Sequence, residues 1–354
     1  MKKVGIILLT VFVLLSFGCQ RQRDTFELAL ITDIGTIDDK SFNQGSWEGL
    51  LQYAEEHNIT HRYFQPPEQS DRAYLNTIDL AVRAGARVIV TPGFLFASAI
   101  FDAQDRYPDV RFILVDAVPS SGGVSRVANN TVAVLYAEDQ AGFLAGYAAV
   151  QDGFRRLGFM GGIAVPAVVR FGYGFVQGAE YAAQQLGLPP GSVTINYTYT
   201  GTFTASPAIQ TMAASWYMAG IEVIFACGGG IGNSIMAAAE QTGNFVIGVD
   251  RDQSDQSPTV ITSAMKMLQY SVYSTVAAYY QGRFPGGQAL VFEADNHGVG
   301  LPMATSRFRN FTQSQYDNIF RRLAAGEIPR MDTLAEGGNP AIVPVRITNV
   351  TFID

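Results

Sequence analysis

The sequence predicts an α/β protein of two lobes, each built on a doubly wound parallel sheet. Short apolar segments alternate with segments of helical periodicity, and repeated strand–helix units form parallel sheets with helices on both faces. About 330 residues follow the N-terminal leader, more than one such core holds. The predicted strands are 26–31, 62–64, 88–91, 112–115, 131–135, 157–160, 192–198, 222–226, 245–249 and 259–264. The predicted helices include 71–84, 94–106, 138–150, 171–186, 207–219, 234–241 and 267–281.

The N-terminus has the features of a bacterial secretion signal. A basic start leads into an apolar run at 4–15, which is too short for a comfortable membrane span. Cys19 follows a small residue, and this pattern resembles a lipobox, in which the cysteine is diacylated and becomes the new N-terminus. An uncleaved anchor is the alternative. We predict a signal peptide (1–18), a lipidated tether (19–25) and an exported domain held at the periplasmic or extracellular face of the cell membrane.

Composition argues against several classes of function. Apart from Cys19 the chain has only Cys227, so we expect neither an internal disulfide nor a cysteine-based zinc site. Three histidines are too few for a histidine-rich metal site. The formal charge is −7, and it becomes −9 once the two lysines of the signal are removed, with no basic stripe. We therefore expect no metal, no cofactor and no nucleic-acid partner.

The division into lobes has no low-complexity linker to mark it. We expect the chain to cross between the lobes more than once, first near Tyr136. Lobe 1 is predicted to contain 26–135 and about 264–290. Lobe 2 is predicted to contain 136–263 and about 291–354.

Lysine is rare in this chain. Beyond the signal it occurs only as Lys40 and Lys266, against twenty arginines. Because an ammonium is a compact point charge and a guanidinium is a planar fork, a retained lysine is a candidate site residue. Chance retention is the alternative. We favour chance for Lys40, since Asp38 and Asp39 beside it offer an ordinary surface ion pair.

A polar loop follows the first predicted strand. Asp38 or Asp39 can accept the free N–H groups of the next helix, and Phe42 and Asn43 lie in its first turn. In open α/β sheets, ligands bind at the carboxyl ends of strands, so this aromatic ring and this amide face a candidate crevice. Spacing alone also fits plain helix capping with Phe42 in the core.

Polar residues recur where other predicted strands end. Asp116 follows 112–115 and Asp250 follows 245–249. The loop at 227–233, CGGGIGN, allows backbone N–H groups to approach a ligand closely. For the glycine loop alone, a tight turn with a helix cap is the favoured explanation, and simple caps explain Asp116 and Asp250 equally well. Together, carboxylates at several strand ends suit a ligand with vicinal hydroxyls, such as a ribose.

Five segments carry a resemblance to a known family. They are TDIGTIDDKSFNQGSWEG (32–49), LVDAV (114–118), FACGGGIGNS (225–234), VIGVDRDQ (246–253) and TSAMK (262–266). They resemble the basic membrane protein (BMP) family of lipoproteins, and within it the purine nucleoside receptors that act as substrate-binding components of nucleoside ABC transporters. The resemblance implies a type I periplasmic-binding-protein fold whose two hinged lobes bury the ligand. It also implies a monomer that binds a purine nucleoside without chemistry and passes it to an ABC permease and its ATPase.

The resemblance further implies roles for individual residues. Phe42 would stack on the purine, faced by Phe171 or Phe175 from the second lobe. Asp33 and Asn43 would address the base or the rim of the first lobe. The ribose hydroxyls would be held by Asp116, Asp250, Lys266 and the backbone of Gly229 and Gly230. Members of the family often have a glutamate where Gly172 stands, so the resemblance leaves second-lobe contacts, and with them base preference, open.

Two other classes of function fit parts of the sequence. TDIGTIDD looks like the aspartate-rich calcium loop of nucleoside hydrolases, but Ile31 or Thr32 takes the place of its leading aspartate. The gap between Asp33 and Asp38 is also one residue longer. Calcium needs about six to eight oxygen ligands in a set geometry, so these changes argue against an enzyme. The third class is a surface adhesin that uses the outer face of the protein.

One incubation distinguishes receptor from hydrolase. With inosine or adenosine and calcium present, we expect the nucleoside to remain intact and to bind saturably. Chromatographic detection of free base would contradict the receptor interpretation. Asp250→Ala then distinguishes receptor from adhesin, because a cleft receptor should lose its ligand whereas surface adhesion should be unchanged.

Overall fold

The computed structural model describes residues 26–328 and 334–353; the predicted signal, Cys19 and the tether lie outside this range. The strands are β1 (Leu28–Ile31), β2 (His61–Phe64), β3 (Val88–Pro92), β4 (Arg111–Val115), β5 (Ser120–Ser121), β6 (Val124–Ser125), β7 (Thr131–Tyr136), β8 (Arg156–Gly161), β9 (Val193–Tyr199), β10 (Val223–Cys227), β11 (Phe245–Asp250), β12 (Val260–Lys266), β13 (Gln288–Phe292), β14 (Val299–Gly300) and β15 (Thr348–Phe352). The α-helices are α1 (Phe42–Glu56), α2 (Asp71–Arg83), α3 (Ala97–Arg106), α4 (Glu138–Gln151), α5 (Pro166–Gln185), α6 (Pro207–Met218), α7 (Ile231–Thr242), α8 (Leu268–Tyr280) and α9 (Gln313–Ala324).

Two sheets form the cores of the molecule. The first has the order β13-β7-β4-β3-β1-β2 and all its strands are parallel. The second has the order β14-β12-β11-β10-β8-β9-β15 and is parallel except for β14. Their central strands are buried apolar runs, as expected when helices cover both faces. The predicted α/β class with two parallel sheets is confirmed.

Several elements differ from the prediction. Helix α5 begins at Pro166, five residues before the predicted start, since proline suits the first helical position. Helix α7 begins at Ile231 instead of 234, so the glycine loop leads directly into it. The edge strands β13 and β15 were not predicted, because exposed residues interrupt both of them and neither forms a buried apolar run. Helix α9 was missed as well, since of its residues only Ile319 and Leu323 are buried.

The chain passes between the two sheets at three places. It crosses after Tyr136, after Lys266 and between Phe292 and Val299. Helix α4 then packs on α5, and α8 packs on α1. We therefore propose lobe boundaries slightly displaced from the predicted ones, with all of β12 in lobe 2 and all of β13 in lobe 1. Within 26–328 and 334–353, no helix combines the length and apolar character of a membrane span.

Glycines allow α4 and α5 to approach each other unusually closely. A Cβ at Gly146 of α4 would lie 2.1 Å from the carbonyl oxygen of Phe175, and one at Gly174 of α5 would lie 2.0 Å from that of Asp139. Gly142 and Gly178 are equally constrained. The backbones of the two helices are therefore in contact, which leaves no room for a side chain at these positions.

Gly146→Ala is expected to destabilise the protein by about 1–3 kcal/mol, because the added methyl group overpacks this contact. The matched control is Gly232→Ala in α7, where a Cβ would meet only the end of Met236 at 3.8 Å. That control should be neutral or stabilising by up to about 1 kcal/mol, since alanine favours helix. Urea unfolding measures both, and equal free energies of unfolding for the two variants would contradict the close contact.

Candidate functional site

A cleft lies between the two sheets, at the carboxyl ends of their strands. Its empty space amounts to about 680 Å³, including the part open to solvent. Each strand contributes the residues that follow it, as in other α/β binding sites. The lining residues are Asp33, Gly35, Asp39, Phe42, Asn43, Gly93, Phe94, Leu95, Asp116, Val165, Ala167, Val168, Phe171, Phe203, Cys227, Gly228, Gly229, Val249, Asp250 and Lys266.

The ammonium of Lys266 is the centre of one end of the cleft. Its Nζ donates to Asp116 Oδ2 at 2.5 Å and lies 3.5 Å from Asp250 Oδ1 and 4.0 Å from Glu138 Oε1. Asp116 follows β4 in the first sheet and Asp250 ends β11 in the second. One cation therefore joins acidic groups from both sides of the cleft.

Aromatic rings surround the same ammonium. Nζ lies 4.6 Å from the ring centroid of Phe42, 5.3 Å from that of Tyr136 and 5.4 Å from that of Phe171. A desolvated cation is attracted to the faces of such rings. The lysine is 3% exposed, so carboxyl groups and rings replace the water around its charge.

Burial and charge act in opposite directions on these groups. Burial alone would lower the pKa of Lys266, but Asp116, Asp250 and Glu138 together raise it, so the lysine is charged. Burial raises the pKa of Asp116 despite the nearby ammonium. Burial, helped by the charge of Asp116, raises the pKa of Glu138 to about 8. At neutral pH the cluster therefore retains a proton on Glu138.

The two aspartates at the strand ends have unusual backbones. Asp116 has φ of 66° and Asp250 has φ of 68°. Both values lie in the left-handed region, which non-glycine residues rarely adopt. Residues held there often belong to functional sites, where the surrounding structure compensates for the strain. In both cases the strand continues up to the aspartate, so the carboxylate is placed at the floor of the cleft.

A second polar group lies at the start of α1. Asp39 accepts hydrogen bonds from the backbone N–H groups of Ser41, Asn43 and Gln44 at 2.8–3.1 Å. Of the two predicted caps, Asp39 is therefore the one that serves α1. Burial raises its pKa to about 6, and the nearby Asp250 adds to this shift against the opposing hydrogen bonds.

Asn43 links this cap to the end of β1. Its Nδ2 donates to Asp33 Oδ1 and to Asp39 Oδ2, each at 3.2 Å. Its Oδ1 is buried and has no hydrogen-bond partner among the described residues. Burial also raises the pKa of Asp33. The amide oxygen of Asn43 is therefore left as an acceptor without a partner among the described residues.

The second lobe contributes two rings to the cleft. Phe171 lies in the wall, as one of the two predicted alternatives, but only 2% of it is exposed. Phe175 lies one turn further along α5, in the core against Phe225 at a ring-centroid distance of 5.3 Å. Phe203, in the loop after β9, lines the cleft and is half-buried. Sequence reasoning missed Phe203; its position just beyond a strand end was the available signal.

The position of Gly172 is filled by a neighbouring side chain. A Cβ there would lie 2.0 Å from the hydroxyl oxygen of Tyr197, which is itself paired with the Tyr199 hydroxyl at 2.8 Å. A larger residue at 172 would displace this buried tyrosine pair. The glycine is therefore matched to a local packing arrangement of this chain.

The structure brings most of the predicted site residues together. Those that line one cleft are Asp33, Phe42, Asn43, Asp116, Phe171, Gly229, Asp250 and Lys266. Gly230 lies beside the lining as the N-cap of α7, and Phe175 lies beneath it. Glu138 was not predicted, because an acid in the first turn of a helix resembles an ordinary cap. Within the described ranges, no cluster of three or more His, Cys, Asp or Glu residues is arranged to hold a metal ion.

Glu138 makes stability depend on pH. Its pKa is about 8 in the folded protein against an ordinary 4.5, so between these pH values the folded state binds a proton that the unfolded state releases. The free energy of unfolding should therefore fall as pH rises through this window, by up to about 1.4 kcal/mol per unit from this group. Glu138→Gln should flatten the fall, whereas exposed Glu55→Gln should not. Parallel urea-derived curves for wild type and Glu138→Gln would show that Glu138 does not titrate there.

Two solved structures of solute-binding proteins superpose on this chain over most of its length. A solute-binding protein of an ABC transporter system from Aeropyrum pernix K1 superposes with a TM-score of 0.75 at 24% identity, covering 88% of this chain and 94% of that one. One from Conexibacter woesei DSM 14684 gives 0.68 at 21% identity, covering 86% and 99%. The predicted type I periplasmic-binding-protein fold is thereby confirmed.

Relatives found by sequence also align with most of this chain. The ABC transporter nucleoside-binding protein BmpA of Lactococcus lactis subsp. cremoris is 28% identical over 307 residues, 80% of this chain and 83% of that protein. Basic membrane protein B of Borreliella burgdorferi is 28% identical over 295 residues, 81% and 84%. The family model Bmp, described as ABC transporter substrate-binding protein PnrA-like, matches residues 26–328. With the cleft between two parallel sheets, this match shows that the chain belongs to the Bmp family of PnrA-like ABC transporter substrate-binding proteins.

Proposed function

We propose that this protein captures a purine nucleoside in the cleft and delivers it to an ABC permease, while a lipid on Cys19 holds it at the membrane. The observation that carries the proposal is the pairing of aromatic rings from both lobes with a charged cluster at one end of the cleft. A relative described as a nucleoside-binding protein supports it. Binding occurs without chemistry, and closure of the lobes creates the shape that the permease recognises.

The charged end suits a ribose. Asp116 Oδ1 is buried without a hydrogen-bond partner among the described residues, while Asp116 Oδ2 accepts a hydrogen bond from the Lys266 ammonium. A ribose diol can donate to Asp116 and Asp250 and accept from Lys266. Hydrogen bonds to ionised groups in a desolvated site are among the strongest. The loop at Gly229 and Gly230, which adjoins Phe203 and leads into α7, would supply backbone N–H groups to the same ligand.

The aromatic rings beside this charged end suit the base. Phe42 from lobe 1 and Phe203 from lobe 2 are both half-buried and have ring surface to offer a flat heteroaromatic. Phe171 supports the ammonium from below and has little exposed surface. The Asn43 N–H groups are already used, so the base edge meets acceptors and must bring N–H donors.

Hydrogen bonding near Asp39 also argues against calcium-dependent hydrolysis. Both Asp39 oxygens accept backbone N–H groups, and Asp33 Oδ1 accepts from Gly35 and Asn43. An N–H group that donates to a carboxylate oxygen occupies a lone pair that a calcium ion would need for coordination. The loop is therefore built as a helix cap and a side wall.

Mass spectrometry of the small molecules that co-purify with the folded protein, followed by calorimetric titration, tests the proposal. Adenosine, guanosine or inosine should bind saturably. Uridine and free ribose should bind more weakly, because uridine has a smaller base and ribose has no base to stack on the aromatic rings. Binding of a sugar or an amino acid, with no response to any purine nucleoside, would refute the proposal.

Phe42→Ala and Phe203→Ala should each weaken nucleoside binding at least about fivefold in the same titration, since stacking contributes about 1 kcal/mol beyond buried area. The matched control is Tyr270→Ala, an aromatic residue that is 64% exposed and lies outside the cleft lining. If Phe203→Ala retained wild-type affinity while Phe171→Ala lost it, the second stacking residue would be Phe171.

A further inference from the structure

The turn after β11 makes direct bonds to the first lobe that involve no ligand. Ser41 donates its hydroxyl to Asp250 Oδ2 at 2.5 Å, and Gln253 Nε2 donates to the carbonyl oxygen of Lys40 at 2.8 Å. Arg251 lies 3.5 Å from Glu48 at the outer edge of the same seam. Asp250, Arg251 and Gln253 of lobe 2 thus contact lobe 1. Two of the contacts are with the loop before α1, and the third is with the second helical turn of α1.

Gln253 is fixed so that its amide can contact the other lobe. Its Oε1 accepts from the Val249 N–H of β11 and its backbone N–H donates to Ser263 Oγ of β12, each at 3.0 Å. The residue is 1% exposed and is not part of the cleft lining. Both ends of the amide are used, one within lobe 2 and the other across the seam.

The Lys40 carbonyl is equally fixed on the first lobe. Lys40 has φ of 64°, and its backbone N–H donates to Gln44 Oε1 at 3.2 Å. The Asp39 carboxylate holds the next residue, Ser41, through its N–H. A non-glycine residue in the left-handed region is retained where the structure requires its orientation. Here that orientation directs a carbonyl at the opposite lobe.

We propose that Gln253, which lies outside the cleft lining, and the Ser41–Asp250 pair form a latch that stabilises the closed lobes and sets how long a bound nucleoside stays. The role of the latch in release rests on the proposed function; its role in closure does not. Bonds formed only in the closed arrangement shift the closure equilibrium, and the apparent affinity scales with the closed fraction. Gln253 is therefore a positioning residue that touches no ligand.

Stopped-flow binding of adenosine, guanosine or inosine to the full-length protein tests the latch from both lobes. Gln253→Met keeps side-chain length but loses the amide, and Ser41→Ala loses the hydroxyl on the other lobe. Each should raise the dissociation rate constant roughly 2- to 10-fold, the effect of one hydrogen bond, and leave the association rate constant within about twofold. Gln269→Met is the matched control, since Gln269 bonds only to Gln52 of the same lobe and should not change either rate.

Small-angle scattering without nucleoside provides a readout that a merely structural role would not change. Gln253→Met and Ser41→Ala should both have a larger radius of gyration than wild type and the Gln269→Met control. Wild-type dissociation rates and wild-type radii in both variants would overturn the latch. If wild type bound none of the three nucleosides, the proposed function would fail, and the scattering comparison alone would decide the latch, with equal radii overturning it.

Discussion

A single buried ammonium organises this molecule. Lys266 ends a strand of the second sheet at the point where the chain leaves for the first, and its partners come from both. Removing a cation from water costs several kcal/mol, which is recovered only where opposite charges surround it closely. The positions of Asp116, Asp250 and Glu138 are therefore tied to one another. Because Asp116 follows a strand of the first sheet and Asp250 ends a strand of the second, this ammonium bridges the two sides of the cleft.

The acidic excess around that cation is also what the site offers to a ligand. Three carboxyl groups share one ammonium within 4.0 Å, so they cannot all be satisfied by it. Arg170 lies 3.6 Å from Glu138 and the Ser41 hydroxyl donates to Asp250, while Asp116 Oδ1 remains a buried acceptor without a partner among the described residues. A ligand with hydroxyl donors relieves part of this excess, whereas an anion would increase it. In the proposed function, this charge balance would favour a neutral polyol over an anion.

Sequence alone could predict the fold and about half of the site, for identifiable reasons. Buried parallel strands are short apolar runs, and a polar residue directly after such a run, as at Asp116 and Asp250, stands out. The edge strands β13 and β15 do not stand out in this way, because exposed residues interrupt the apolar run in each of them. Phe171 and Phe175 are one helical turn apart, so spacing could not decide between them. Phe203 lies in an irregular loop, and only the tertiary structure brings that loop to the cleft.

The two lysines of the described chain differ sharply in accessibility. Lys266 is 3% exposed and enclosed by rings and carboxyl groups, while Lys40 is half-buried at the seam between the lobes. An amine-reactive dye should therefore modify Lys40 in preference to Lys266. Because the backbone of Lys40 receives the Gln253 amide, a fluorophore there would sit where the lobes meet. Among the described residues, Lys40 is thus the one accessible lysine at which a fluorophore could report lobe movement without any engineered cysteine.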